Sequence, residues 1–320
     1  MQINAGSGTN AFNTNVKYAN ASGSGAIAIG NGATAAAASS IAIGSSANAS
    51  NTGSVAIGTY AIADGNYAVA FGNGNSRYPN TASGNYSFVW GYNTTADGTD
   101  STAWGNRTKA TELQATAWGY KSNATGRRST AWGYQTTAGD HPNDKKPYNT
   151  EEDKTIAQRQ TAWGHGTYAK GNNSTAFGHN TQALSRDSVA WGYNTIAGRN
   201  NDDPALGATD SGAFATAWGH GANALGYGST AFGYDANATG MASLAFGGFI
   251  KSSDTSLAPM ASALGFTNFD KAPHANGMAS VAFGIGTKTD KNAHASLAFG
   301  VGSEANGLGS TAFGLDTNAT

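Results

Sequence analysis

One feature limits what this chain can fold into more than any other: a bulky residue set between Ala and Gly returns on a fixed beat. Aligning on that residue, which follows Ala (once Val) and precedes Gly, gives eighteen copies. They are Ile29, Ile43, Ile57, Phe71, Trp90, Trp104, Trp118, Trp132, Trp163, Phe177, Trp191, Trp218, Phe232, Phe246, Leu264, Phe283, Phe299 and Phe313. All seven tryptophans of the chain fall in this one column. Eleven of the seventeen intervals are fourteen residues long, and the rest are longer, never shorter. A one-sided spread marks a minimal unit that carries insertions, and self-similarity at a fixed period is the signature of a repeat architecture.

Counted from its first Ala, the unit reads A-φ-G-x-x-x-x-A-x-G-x-x-S-T. Position eight is Ala in all eleven uninterrupted units, Ala35, Ala49, Ala96, Ala110 and Ala124 among them. Position ten is often Gly, as at Gly65, Gly98, Gly126, Gly171, Gly226, Gly240 and Gly307. Fourteen residues are too few for a helical repeat pair. Two short strands joined by two corners fit, with Gly expected to supply the positive φ that corners require. The unit is then one coil of an all-β parallel solenoid. Extended, it covers roughly 46 Å, which closes only as a small flattened loop. Eighteen coils stacked at about 4.8 Å would make a rod on the order of 85 Å long.

Strand alternation assigns the faces. In Ser129-Thr130-Ala131-Trp132-Gly133, Ser129, Ala131 and Gly133 share one side, Thr130 and Trp132 the other. A thin coil has room inside for small side chains only, so the two Ala columns point inward and the bulky column outward. The opposite assignment, with indoles inside, would force the coil open. An outward row of eighteen apolar groups exceeds the few hundred Å² of contiguous apolar surface that soluble monomers show. At about 2 kcal/mol per buried side chain it offers tens of kcal/mol gross when covered. Identical chains arranged around an axis cover it most simply, which makes the column an expected interface between copies.

Composition narrows the function. The formal net charge is -1 with 12% charged residues, which gives no electrostatic reason to bind nucleic acid or an anionic membrane surface. Cysteine is absent, removing disulfides and thiolate metal sites. No apolar run approaches the ~20 residues of a membrane-spanning helix, so no direct membrane contact is expected. The first residues, MQINAGSGTN, do not read as a signal segment, so an exported chain would be an excised fragment. No catalytic constellation, P-loop or calcium-binding nonapeptide is present, and no cofactor is expected. Two other solenoid functions are kept as alternatives. An ice-binding face would want paired Thr columns, and a phage-tail-type enzyme would want acidic residues clustered on adjacent coils.

Insertions are read at 73–81, 139–157, 198–213, 248–255, 266–274 and 285–290. Long loops on a rigid scaffold are where binding residues concentrate. The longest carries eight charges between Asp140 and Lys154, and Thr150 followed by Glu151, Glu152 and Asp153 reads as a helix N-cap with an acidic first turn. Candidate ligand-binding residues are Arg127, Arg128, Lys145, Lys146, Tyr148, Asp202 and Asp203. Arg127 and Arg128 stand at a corner where they would pair with acidic groups. Position four forms a second aromatic column, Tyr92, Tyr120, Tyr134, His165, His179, Tyr193, His220 and Tyr234. His165 and His179, on consecutive coils roughly 5 Å apart, are the weak candidates for a metal. No carboxylate accompanies them at ligand spacing, so no metal is assigned.

The motifs GSVAIG (53–58), SSIAIG (39–44) and GSTAFG (309–314) resemble the head repeats of trimeric autotransporter adhesins, the YadA-like family. The resemblance runs from about Ala19 onward, with residues 1–18 as an N-terminal cap or partial repeat and 19–320 as the head. It implies a left-handed parallel β-roll assembled as a parallel homotrimer and displayed on the outer membrane of Gram-negative bacteria. It further implies attachment to host matrix proteins, host cells or other bacteria, and so a part in virulence. The family's signal peptide, coiled-coil stalk and anchor have no counterpart here. From Phe71 onward the column holds Trp and Phe where the family usually shows Ile or Val.

Overall fold

The computed structural model describes residues 2–6, 9–13, 19–139, 159–198, 212–248 and 271–320, the first two segments as backbone only. Internal packing divides the chain into two units, Met1–Trp163 and Gly164–Thr320. Each is a parallel β-solenoid, and the chain winds through about eighteen turns in all. Among the described residues there is no helix.

Most described coils have one longer and one shorter strand. Thr116–Tyr120 and Asn123–Ala124 are a representative pair. The long strand pairs in parallel with the next coil's, placing Thr116 beside Thr130, Ala117 beside Ala131 and Trp118 beside Trp132. The short strands pair likewise, Ala124 beside Ala138. Each repeat position therefore stacks on its own counterpart, and a periodic sequence becomes a set of straight columns.

The core is a set of small side chains. Ala117, Ser122, Ala124 and Ser129, at positions one, six, eight and thirteen, are all fully buried. The Ser129 hydroxyl donates to the Gly126 carbonyl at 2.6 Å and accepts from the Gly126 N–H at 3.2 Å, closing its corner. Ser188, Ser229, Ser243 and Ser280 make the same hydroxyl-to-carbonyl bond three residues back. These buried hydroxyls are satisfied inside the turn, whereas others in the coil interior, Ser87, Ser101, Thr108 and Thr136 among them, have no partner within the chain.

The coil is two half-coils of seven residues. Ala117 to Asn123 and Ala124 to Thr130 match as Ala-x-Gly-x-x-Ser-x, with Gly119 answering Gly126. The corners correct the sequence expectation in part. Glycine does supply a positive φ at position three, as at Gly119 with 119°, but positions five and twelve, seven apart, also have positive φ and are mostly non-glycine: Lys121 at 52°, Arg128 at 56°, Ala279 at 53°. The position-ten glycines have no positive φ; a Cβ on Gly226 would lie 2.0 Å from the Gly240 carbonyl oxygen. Where glycine stands there, the next coil passes too close for a Cβ unless the backbone shifts.

In the first unit, Gln2–Gly6 runs antiparallel to Thr9–Asn13, which in turn pairs in parallel with Ile27–Ile29. The register sets Phe12 beside Ile29, one strand beyond the eighteen positions aligned in the sequence and within the stretch read as a cap or partial repeat. In the second unit, Leu244–Gly248 pairs directly with Val281–Ile285, Phe246 beside Phe283. Among the described residues no strand stands between these two. Residues 249–270, Leu264 included, lie outside the described residues. The insertion read at 285–290 moves. Thr289 occupies position eight, pairing with Ala275 and Ala305, and the two extra residues fall after it, within Asp290–Ala295.

Candidate binding surfaces

The outer face of the long strands carries three columns: a leading one at position fourteen, the bulky central one and a trailing one at position four. Alternation puts them on one side, opposite the buried alanines. All seven tryptophans of the central column are between 39% and 50% exposed, although each lies between neighbours of its own ladder.

In the first unit the indoles form a continuous stack. Trp90 and Trp104 are 5.2 Å apart between ring centroids, Trp104 and Trp118 4.8 Å, Trp118 and Trp132 4.7 Å, and Trp132 and Trp163 4.7 Å, with planes within 6°. The coil spacing sets these distances, and stacking covers ring faces while leaving edges in solvent. Ile29, Ile43, Ile57 and Phe71 precede them in the same column on the strands of earlier coils. In the second unit Trp191 and Trp218 stack at 5.0 Å, and Phe232, Phe246, Phe283, Phe299 and Phe313 follow in a parallel stack at 4.7–4.9 Å. Where ring type changes, the rings tilt: Phe71 against Trp90 by 51°, Phe177 against Trp191 by 62°, Trp218 against Phe232 by 65°.

The trailing column stacks too. Tyr120 and Tyr134 lie 5.1 Å apart in the first unit, with the Lys121 ammonium 5.3 Å over the Tyr120 ring. In the second, His165, His179, Tyr193, His220 and Tyr234 form one run at 4.5–4.8 Å. His165 and His179 are thus adjacent, at 4.5 Å and 6°. Parallel stacked imidazoles aim their lone pairs side by side, not at a common point, so the stack itself is no chelate. Among the described residues no three His, Asp or Glu side chains gather as a metal-binding group. Toward the C-terminal end the column turns aliphatic, with Ile285, Val301 and Leu315, a change its repeat position could have revealed.

Among the loop candidates, Arg127 and Arg128 are exposed at a corner. Arg128 donates through Nε to the Gln114 side-chain oxygen at 3.1 Å, one coil back. Lys145, Lys146, Tyr148, Asp202 and Asp203 lie outside the described residues, as does the helix start read at Thr150. The 73–81 insertion is held at its base by Asn80, which is fully buried. Its Nδ2 donates to the Gly91 carbonyl at 2.5 Å, and its Oδ1 accepts from the Thr94 N–H and hydroxyl at 3.0 and 2.9 Å. Position eleven or twelve in the second unit carries an exposed apolar line the sequence reading missed: Phe214, Tyr227, Met241, Met278 and Leu308. Counting outward from the Ala columns would have found it.

A family model described as YadA head domain repeat (2 copies) matches residues 21–47, 49–75, 82–108, 110–136, 169–195, 211–236, 224–249 and 292–317. Together these segments cover more than half of the chain. The chain belongs to the YadA head family. Its unmatched stretches include 137–168 and 250–291, where long insertions interrupt the repeat. No curated protein matches this YadA head. Membership gives it an adhesin-type function at an extracellular surface and points away from catalysis.

Proposed function

We propose that this YadA head is the adhesive part of a trimeric autotransporter: a left-handed β-roll that forms a parallel homotrimer on the outer membrane of a Gram-negative bacterium. The observation that carries this is the exposed central ladder. A YadA head whose coils bury chiefly Ala, Ser and Thr presents its largest apolar residues to solvent. Two further copies cover that face, and closed threefold symmetry uses it on every chain alike.

The surface left over then meets host matrix proteins, host cells or other bacteria. Ladders of identical coils offer many weak, repeated contacts, and three chains multiply them, so avidity does the work of a single tight pocket. Arg127 and Arg128 at their corner, with Lys145, Lys146, Tyr148, Asp202 and Asp203 in the two long insertions, are the residues proposed to contact the partner. Binding to a panel of matrix proteins and bacterial cells, with and without residues 140–156, tests this. Loss of binding on deletion supports the loop as a contact; binding that survives removes it from the site.

A further inference from the structure

Within one coil the leading and trailing residues compensate in size although they do not touch. They stand four residues apart on one strand, about 13 Å. In the first coils the leading residue is large and apolar and the trailing one small and polar: Ile27 with Asn31, Ile41 with Ser45, Val55 with Thr59. In the aromatic coils the pattern inverts, giving Thr116 with Tyr120, Thr130 with Tyr134, and Thr230 with Tyr234. Leu244 with Gly248 returns to the first pattern. Other coils depart from it: Val189 with Tyr193, Val281 with Ile285 and Leu297 with Val301 are large on both sides. Phe88 and Tyr92 are both large, and the next coil's Thr102 and Asn106 are both small. A trailing Tyr92 set against Thr102, one coil on, restores the balance.

Compensation between columns that cannot meet inside one chain needs a second chain to transmit it. Resting on the trimer reading above, we infer that each chain's trailing column packs against the leading column of the neighbouring copy, within one coil of the same height. A coil rises as it winds, so the trailing end of a strand reaches the neighbour between two successive leading residues. The exposed edges fit this role: Tyr92, Tyr134 and Tyr193 are 39–43% exposed, and leading Val189 is 37% exposed. The interface is then heterologous and closes on itself, each copy giving its trailing rings and receiving its neighbour's in the leading column. The central Trp and Phe ladder faces the axis between them.

The chain has no cysteine, so thiol cross-linking reads this pairing directly. The variants are Thr116→Cys/Tyr120→Cys, Tyr120→Cys/Thr130→Cys and, in the second unit, Thr230→Cys/Tyr234→Cys. Each is treated as the intact chain with a short bis-maleimide and run on a denaturing gel. One cysteine per chain links at most two chains, so the single variants give dimers at most. Double variants that yield covalent trimers confirm the pairing; Tyr120 coupling to Thr116 or to Thr130 tells which coil it meets. Light scattering at trimer mass without covalent trimers from any double variant overturns the pairing and leaves the trimer standing. Light scattering at monomer mass overturns both.

Discussion

Trp118 and Trp132 are fourteen residues apart in the chain and 4.7 Å apart between ring centroids, their planes parallel to within 0°. Each nevertheless remains about 40% exposed. The strand spacing alone brings them together, since Ala117 beside Ala131 and Gly119 beside Gly133 lock the register on either side. What the stack leaves uncovered is the ring edge, and that edge is the surface a second copy would bury.

Replacing Trp118 by Asp therefore separates assembly from folding. The side chain points away from the Ala core, so far-UV circular dichroism should keep its strand signal. Association should weaken by roughly 2 kcal/mol per chain or more, about 30-fold. Sedimentation across a dilution series measures the shift.

Two substitutions at backbone-determined positions should act in opposite directions. A Cβ on Gly119, whose φ is +119°, would lie 2.0 Å from the Gly133 carbonyl oxygen. Gly119→Ala should cost at least about 2 kcal/mol in thermal or chemical unfolding. Ala279, exposed at φ 53°, holds a left-handed conformation that its Cβ disfavours. Ala279→Gly should gain about 0.5 kcal/mol, the relief of that strain less the extra entropy of a glycine in the unfolded chain.

The Ala columns should tolerate no growth. Ala124 is fully buried between Ala110 and Ala138 on the short strands. Ala124→Leu should destabilise by about 1–3 kcal/mol or more through overpacking, seen as a lower unfolding midpoint.

Acid should weaken the second unit through His274. Burial, and then the nearby Lys288 ammonium, hold its imidazole below the usual histidine value of 6.5. The unfolded chain therefore takes up this proton first as pH falls. Stability should decline as pH drops through the ordinary histidine range and level off below the folded value. In His274→Asn the decline between pH 7 and 5 should be shallower, measured by unfolding midpoints across that range.

The period made most of the coil legible, because the inward positions recur every seven residues and are filled chiefly by Ala, Ser and Thr. The errors came from treating the motif as sufficient. Ala263-Leu264-Gly265 satisfies it, yet Phe246 and Phe283 pair without it. Ala11-Phe12-Asn13 lacks the Gly, yet its strand joins the sheet. Backbone pairing decides membership, and pairing depends on the neighbouring coil as much as on the local residues. The left-handed corners were hidden for a related reason: the stack over-determines φ at positions five and twelve, so residues such as Lys121 and Arg128 are held there without glycine.

The measurement that bears most directly on the whole account is the mass of the intact chain in solution, by light scattering or sedimentation equilibrium. Coverage of the central ladder by two further copies predicts a particle of three times 32.3 kDa. A soluble species of 32.3 kDa, with Trp118 and its neighbours left in water, would contradict it.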